Sequence, residues 1–308
     1  MPLVLVSSKR FADHVTPAGH PERPERAGVL EAVATSFTEQ GGEVVAPRSA
    51  TDEDLLRVHT QEHVDLVVST RGKATMIDED TFTSPDSDEI ARLAAGAVLT
   101  GVDRALDGPA GSRALVLVRP PGHHAEADRA MGFCLYSNVA VGAAYARSRG
   151  CARVAIVDYD VHHGNGTQWI FYEDPTVLFV SSHQYPFYPG TGAASEKGRG
   201  AGLGYTLNIP LDAGAKDDEI ERKYAEQAVP AVRAFKPDLL MISAGFDAHE
   251  LDPLGQLRMT TEGFGRLTRS LIDLADEVCG GRVVLVTEGG YDLKALSDSL
   301  NEVIEVCR

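Results

Sequence analysis

The chain is poor in cysteine, in aromatic residues and in long apolar runs. Its four cysteines, Cys134, Cys151, Cys279 and Cys307, lie far apart with no C-x-x-C pair. That excludes a disulfide scaffold and suits a reducing compartment, so a cytoplasmic protein is expected. No run of about 18 apolar residues exists, and the N-terminal Pro2–Val6 run is too short for a signal peptide, so no membrane association is expected. Positive charge is also short: 29 Lys and Arg stand against 45 Asp and Glu, a net charge of −16. Such a surface repels phosphate backbones and argues against nucleic acid as a partner. G-x-S-x-G, the P-loop pattern and strict G-x-G-x-x-G are all missing. The best sequence grounds for a serine α/β-hydrolase, an NTPase or a Rossmann dehydrogenase go with them.

What remains is an ordinary globular composition over 308 residues, 43% hydrophobic and 24% charged. Eight short aliphatic runs read as strands: Leu3–Val6, Glu43–Ala46, Ala114–Val118, Val154–Asp158, Val177–Ser181, Tyr205–Pro210, Asp238–Ser243 and Arg282–Thr287. Several are apolar without alternation, as strands buried on both faces of a parallel sheet are. Between them lie helical stretches such as Glu89–Leu106, Asn138–Arg149, Asp217–Phe235 and Thr261–Val278. The alternation predicts an α/β doubly wound sheet in a single domain spanning 1–308. The Gly-rich stretch Gly190–Gly204 reads as a mobile surface loop, not a domain boundary.

Polar residues gather where these strands end. RPPGHH, DYDVHH, SSHQY, SAGFDAH and TEGGY each sit at or just past a predicted strand's carboxyl end. In open α/β sheets that edge binds ligands. Asp158, Asp160 and His162 alternate with Val157 and Tyr159, which in extended backbone points all three the same way. Buried together they need a compensating cation; the alternative is a hydrogen-bonded polar cluster capping the next helix. Asp247 offers a third ligand from another strand, or a helix N-cap. Asp160, His162 and Asp247 would leave positions open for water or substrate, as catalytic zinc requires, and the oxygen-rich set also suits Fe²⁺ or Mn²⁺. His123 and His124 follow two prolines in a stiff turn, where both can face one pocket as acid and base; otherwise they are an idle surface turn. Tyr291 follows Gly289-Gly290 and offers a phenol to an oxyanion, or simply packs. His59-Thr60-Gln61-Glu62-His63 matches the H-x-x-E-H zinc-protease pattern without its context and reads as a helical surface segment.

In this order, RPPGHHA, GFCLYSN, VDYDVHHGNGT, FYPGTG, SAGFDAH, DPLG and EGGYD resemble the zinc-dependent histone deacetylase family, which includes acetoin-utilisation proteins and acetylpolyamine amidohydrolases. HPERPER at His20–Arg26 and the Asn of HHGNG are similar to its class II branch and bacterial relatives. The resemblance runs from about His20 to Tyr291. It implies an arginase-like fold with one eight-stranded parallel sheet. Asp160, His162 and Asp247 then take the zinc positions, His123 and His124 the tandem catalytic ones, and Tyr291 that of the tyrosine polarising the scissile carbonyl. Asp158 matches the partner of the first histidine. It also belongs to a structural potassium site with Asp160, His162, Ser181 and Ser182. Asn165 stands where class I members have Asp, leaving His124 less basic. Phe133 and Tyr188 match the acyl-lysine tunnel walls, with Leu254 at the rim and Gly289 beside it.

The implied activity is removal of acetyl or other acyl groups from lysine in a peptide or protein. Leu254, in Asp252-Pro253-Leu254-Gly255, stands where the polyamine-specific branch has Glu, which favours acyl-lysine over a small acetylated amine. Remoter alternatives are an arginase-type ureohydrolase with two metals and a non-catalytic acyl-lysine-binding protein. An oligomer is compatible with all of these.

Overall fold

The computed structural model describes residues 3–308, so Met1 and Pro2 of the N-terminal run lie outside the described residues. In chain order the strands are β1 (Leu3–Val6), β2 (Glu43–Val45), β3 (Thr75–Met76), β4 (Phe82–Thr83), β5 (Arg113–Val116), β6 (Val154–Asp158), β7 (Val177–Gln184), β8 (Thr206–Leu211), β9 (Leu239–Ala244) and β10 (Val283–Thr287). The helices are α1 (Glu25–Glu39), α2 (Asp52–Leu55), α3 (Gln61–Val68), α4 (Ser87–Asp107), α5 (Asn138–Ser148), α6 (Asn165–Ile170), α7 (Asp217–Lys223), α8 (Val229–Phe235), α9 (Thr261–Cys279) and α10 (Leu293–Cys307). Eight strands form one parallel sheet in the order β2-β1-β5-β10-β9-β6-β7-β8, and β3 and β4 pair as a small separate hairpin.

Successive strand residues point to opposite faces, and each face has its own core. Leu3, Leu5, Leu115, Ala155, Val157, Leu240, Ile242, Val283 and Leu285 pack on the side of α1, α9 and α10. Val6, Ala114, Val116, Val154, Ile156, Leu239, Met241, Val284 and Val286 pack on the side of α4 and α5. Both faces being covered explains why the strands read as unbroken apolar runs. All eight predicted strands are present. β7 extends three residues past its predicted end, carrying Ser182, His183 and Gln184 along β8.

Two differences have local causes. The stretch predicted as one helix over 217–235 is α7 and α8 joined by a π-helical turn at Tyr224–Ala228. Pro230 has no N–H for the α-helical bond, and the wider turn absorbs that defect. In the H-x-x-E-H segment Gln61 and Glu62 are exposed at the start of α3, as a surface helix requires, but His59 and His63 are both buried. Thr60 caps α3 by accepting from His63 N, and the two rings lie 4.8 Å apart, turned inward. The Gly190–Gly204 loop does lie on the surface, but Gly192 is pinned beneath it: His183 Nε2 lies 2.9 Å from the Gly192 carbonyl oxygen. No described helix is long and apolar enough to cross a membrane.

Candidate metal-dependent active site

The carboxyl ends of β5, β6, β9 and β10 are neighbours in the sheet, and the segments leaving them converge. Asp158 ends β6, Asp160 and His162 follow it, and Asp247 follows β9. Asp160, His162 and Asp247 each offer one ligand atom within 4.8 Å of the others. His162 Nδ1 lies 3.1 Å from Asp160 Oδ1 and 3.2 Å from Asp247 Oδ2. Asp247 Oδ2 nevertheless makes no hydrogen bond and is fully buried. Burial and the nearby Asp160 carboxylate push the Asp247 carboxyl up to about 7. An unpartnered buried oxygen in a cluster of two carboxylates and an imidazole fits a bound divalent cation, which relieves both the desolvation and the like-charge repulsion. Backbone amides hold the remaining oxygens: Val161 N donates to Asp247 Oδ1 at 2.9 Å and Gly289 N to Asp160 Oδ2 at 2.9 Å.

Two glycines make that approach possible. A Cβ on Gly289 would lie 2.0 Å from Asp247 Oδ2, and one on Gly245 would lie 2.1 Å from Asp160 Oδ2. Gly289 therefore lies directly against the ligand carboxylates.

The tandem histidines face the cluster from the β5 side. Their ring centroids are 4.0 Å apart, and His124 is 5.9 Å from His162. Their partners differ. His123 Nδ1 lies 3.0 Å from Asp158 Oδ2, whereas His124 Nδ1 lies 2.8 Å from Asn165 Oδ1. Burial opposes charge on His123, but the Asp160 and Asp158 carboxylates override it and hold the ring well above its usual value. Burial and the neighbouring His123 and His162 push His124 well below. The two surroundings thus push the neighbouring imidazoles in opposite directions, His123 toward the charged form and His124 toward the neutral one.

Tyr291 lies across the site, its ring 5.9 Å from Phe133, and burial raises its hydroxyl well above the normal range, keeping it a donor. Its backbone N donates to Asp252 Oδ2 at 2.6 Å. Tyr188 sits edge-on to His124 at 5.2 Å and to His162 at 5.9 Å. Leu254 and Tyr291 share an 880 Å³ cavity with His20, Arg23 and Glu25, so the rim is not purely apolar. Ser181 is in register with Asp158 on the neighbouring strand. The Ser181 and Ser182 hydroxyls lie within hydrogen-bond distance of His183 Nδ1 (2.9 Å) and the Tyr224 hydroxyl (2.7 Å).

Several residues around the site escaped the sequence. Glu288 accepts from Gly122 N at 2.7 Å and His123 N at 3.1 Å, fixing the histidine turn from β10. Arg26 donates to the carbonyls of Gly290 (2.7 Å) and Glu288 (2.6 Å) and lies 4.9 Å over the Tyr291 ring. Glu22 pairs with Arg26 at 2.9 Å and Arg119 at 2.6 Å, all three buried. Phe187 stacks on His162 at 5.5 Å. A visible signal existed for some of them: Arg119 and Glu288 are charges directly at the ends of apolar strands, and buried charges there need partners.

Comparison with known proteins agrees with this geometry. The model of the histone deacetylase domain matches residues 20–307. Histone deacetylase 15 of Arabidopsis thaliana is 44% identical over 300 residues, covering 93% of this chain and 52% of that protein. The chain thus spans about half the length of that relative. A probable deacetylase of Archaeoglobus fulgidus is 39% identical, covering 94% of this chain and 81% of that one. A histone deacetylase-like amidohydrolase of Pseudomonas aeruginosa is 40% identical, covering 89% and 73%. The crystal structure of the HDA15 HD domain superposes with a TM-score of 0.92 at 40% identity, covering 99% of this chain and 89% of that one. With the matched domain running through both the histidine turn and the Asp-His-Asp cluster, the chain belongs to the histone deacetylase family.

Proposed function

We propose that this chain, acting as one catalytic domain, is a zinc-dependent deacylase that hydrolyses the side-chain amide of acyl-lysine in a peptide or protein. The observation that carries this is the meeting of the buried Asp160, His162 and Asp247 cluster with two histidines of opposite protonation preference. Asp160, His162 and Asp247 hold the metal, Zn²⁺ or alternatively Fe²⁺. When bound, it supplies Lewis acidity to the amide carbonyl and to water. His124 takes the proton of the attacking water and passes it to the leaving amine. His123, oriented by Asp158 at 3.0 Å, stabilises the negative charge that develops. Tyr291 donates its hydroxyl hydrogen to the carbonyl oxygen as it becomes an oxyanion; one such donor is typically worth about 2.7–4 kcal/mol. Phe133 and Tyr188 flank the acyl-lysine stem, and Leu254 meets the substrate at the rim. Asp158, Asp160, His162, Ser181 and Ser182 would hold a structural potassium ion. Four free, buried cysteines suit a reducing compartment such as the cytoplasm.

Glu25, in the same cavity as Leu254, gives the acetylpolyamine reading a specific footing, because an exposed carboxylate can meet a second ammonium; Arg23 beside it opposes this. Comparing kcat/KM of the zinc-loaded protein on an acetyl-lysine peptide and on N-acetylputrescine decides the matter, with Tyr291→Phe as control. The peptide should be preferred, and Tyr291→Phe should lower kcat about 10²–10³-fold. Equal turnover by that variant would remove Tyr291 from the mechanism.

A further inference from the structure

Asn165 opens α6 behind His124, with its Oδ1 2.8 Å from His124 Nδ1 and its Nδ2 2.8 Å from Glu126 Oε1. An ionised carboxylate only accepts, so the NH₂ end of the amide must face Glu126 and the oxygen must face His124. An oxygen in front of Nδ1 requires that Nδ1 carry the proton, which leaves the lone pair on Nε2. Were the amide turned over, its NH₂ would face Nδ1, the proton would move to Nε2, and the base would be blocked. The other acceptors for Asn165 Nδ2 are weaker: the His124 carbonyl at 3.3 Å and the Met131 sulfur at 3.4 Å. We propose that Glu126 is a positioning residue that sets the tautomer of His124 through the orientation of the Asn165 amide. This rests on the reading of His124 as the general base.

The carboxylate is itself held. Arg129 Nη2 donates to Glu126 Oε1 at 2.8 Å, and Glu126 N donates to the Arg129 carbonyl at 2.8 Å. The H-x-x-E-H segment clamps the same stretch: His59 Nδ1 lies 3.0 Å from the Glu126 carbonyl oxygen, and Thr60 N donates to the Ala127 carbonyl at 2.8 Å. Ser137 N donates to His59 Nε2 at 2.9 Å, so His59 carries its own proton on Nδ1 and is a donor to Glu126. The pattern that resembles a protease zinc motif therefore fixes the segment that bears Glu126.

The test uses the full zinc-loaded chain labelled with ¹⁵N-histidine. Long-range ¹H–¹⁵N correlation should show His124 protonated at Nδ1 in the wild type and a mixture of tautomers in Glu126→Ala. With acetyl-lysine peptide, Glu126→Ala should lower kcat by about 10- to 100-fold with KM nearly unchanged, the span expected for loss of a charge-assisted hydrogen bond. In the Asn165→Asp background a carboxylate accepts from Nδ1 with either oxygen. There Glu126→Ala should be neutral, or raise kcat by removing a like charge. Glu126→Gln, which keeps length and an acceptor, should show a smaller loss of the same sign and serves if the alanine variant does not fold. An unchanged His124 tautomer in the folded variant, or equal losses in both backgrounds, overturns the proposal. Should the wild type hydrolyse no amide, the functional reading falls, while the tautomer measurement still decides the role of Glu126.

Discussion

Glu22→Ala is the most demanding test of how the tyrosine side of the site is held. The Glu22 carboxylate is fully buried between two buried guanidiniums, Arg26 at 2.9 Å and Arg119 at 2.6 Å. Burial opposes its charge, but Arg119 and Arg26 override that and hold the carboxyl below its usual range. Removing it leaves two buried cations facing each other, with only carbonyl oxygens as partners. Breaking one such pair typically costs about 3–5 kcal/mol, because the surviving charge stays desolvated. For a chain of this length the unfolding entropy near the midpoint is about 0.65 kcal/mol/K, so the melting temperature should fall by about 5–8 °C. Urea titration at pH 7 measures the change directly, and Glu22→Gln, which retains an acceptor, should lose less. The loss should also reach the chemistry, since Arg26 holds the Gly290 and Glu288 carbonyls on either side of the turn into Tyr291. A stability change under 1 kcal/mol in Glu22→Ala would mean instead that water reaches the network and the two guanidiniums are not held desolvated.

Three further outcomes follow from other parts of the structure. Gly289→Ala should abolish tight metal binding, because its Cβ would lie 2.0 Å from Asp247 Oδ2; metal analysis after dialysis reads this, and wild-type metal content would contradict the close packing. Burial holds His14 down to about 4 and His59 down to about 3, so both are neutral in the fold and bind protons on unfolding. Their contribution is lost as pH falls from about 7 toward those folded values, so stability should drop ever more steeply, approaching about 1.4 kcal/mol per pH unit per histidine between about pH 5.5 and 5. Urea midpoints that stay flat over that window would contradict the neutral assignment. Tyr188→Phe should leave kcat within about threefold, since its ring flanks His124 and His162 edge-on and packing supplies its role; a hundredfold loss in a peptide assay would make its hydroxyl a participant.

The central strands were legible because both of their faces are buried, so β1, β6, β9 and β10 announce themselves by largely apolar runs, while the edge strands β2 and β8 are only partly buried. The meeting of Asp160, His162 and Asp247 was legible for a related reason: charged residues at the ends of such runs are costly unless they find partners. Helix α1 and the residues preceding it were not legible from pattern, because Glu22 and Arg26 act through partners more than ninety residues away. His59 and His63 were misplaced on the surface because local pattern says nothing of what packs above a short helix. The π-helical turn at Tyr224–Ala228 was announced only by Pro230. Glu126 was in plain view after the tandem histidines, but its meaning depends on Asn165 arriving beside it from another strand end.

On the proposed function, amide hydrolysis by this chain depends on a metal held by Asp160, His162 and Asp247. Metal should therefore be stripped with chelator and Zn²⁺ titrated back while hydrolysis of an acetyl-lysine peptide is followed, in wild type and in Asp247→Ala. Activity should rise to a plateau at one metal per chain in the wild type, with neither tight binding nor activity in the variant. Full activity in the stripped protein, or an Asp247→Ala variant that binds Zn²⁺ and turns over like the wild type, would contradict that dependence.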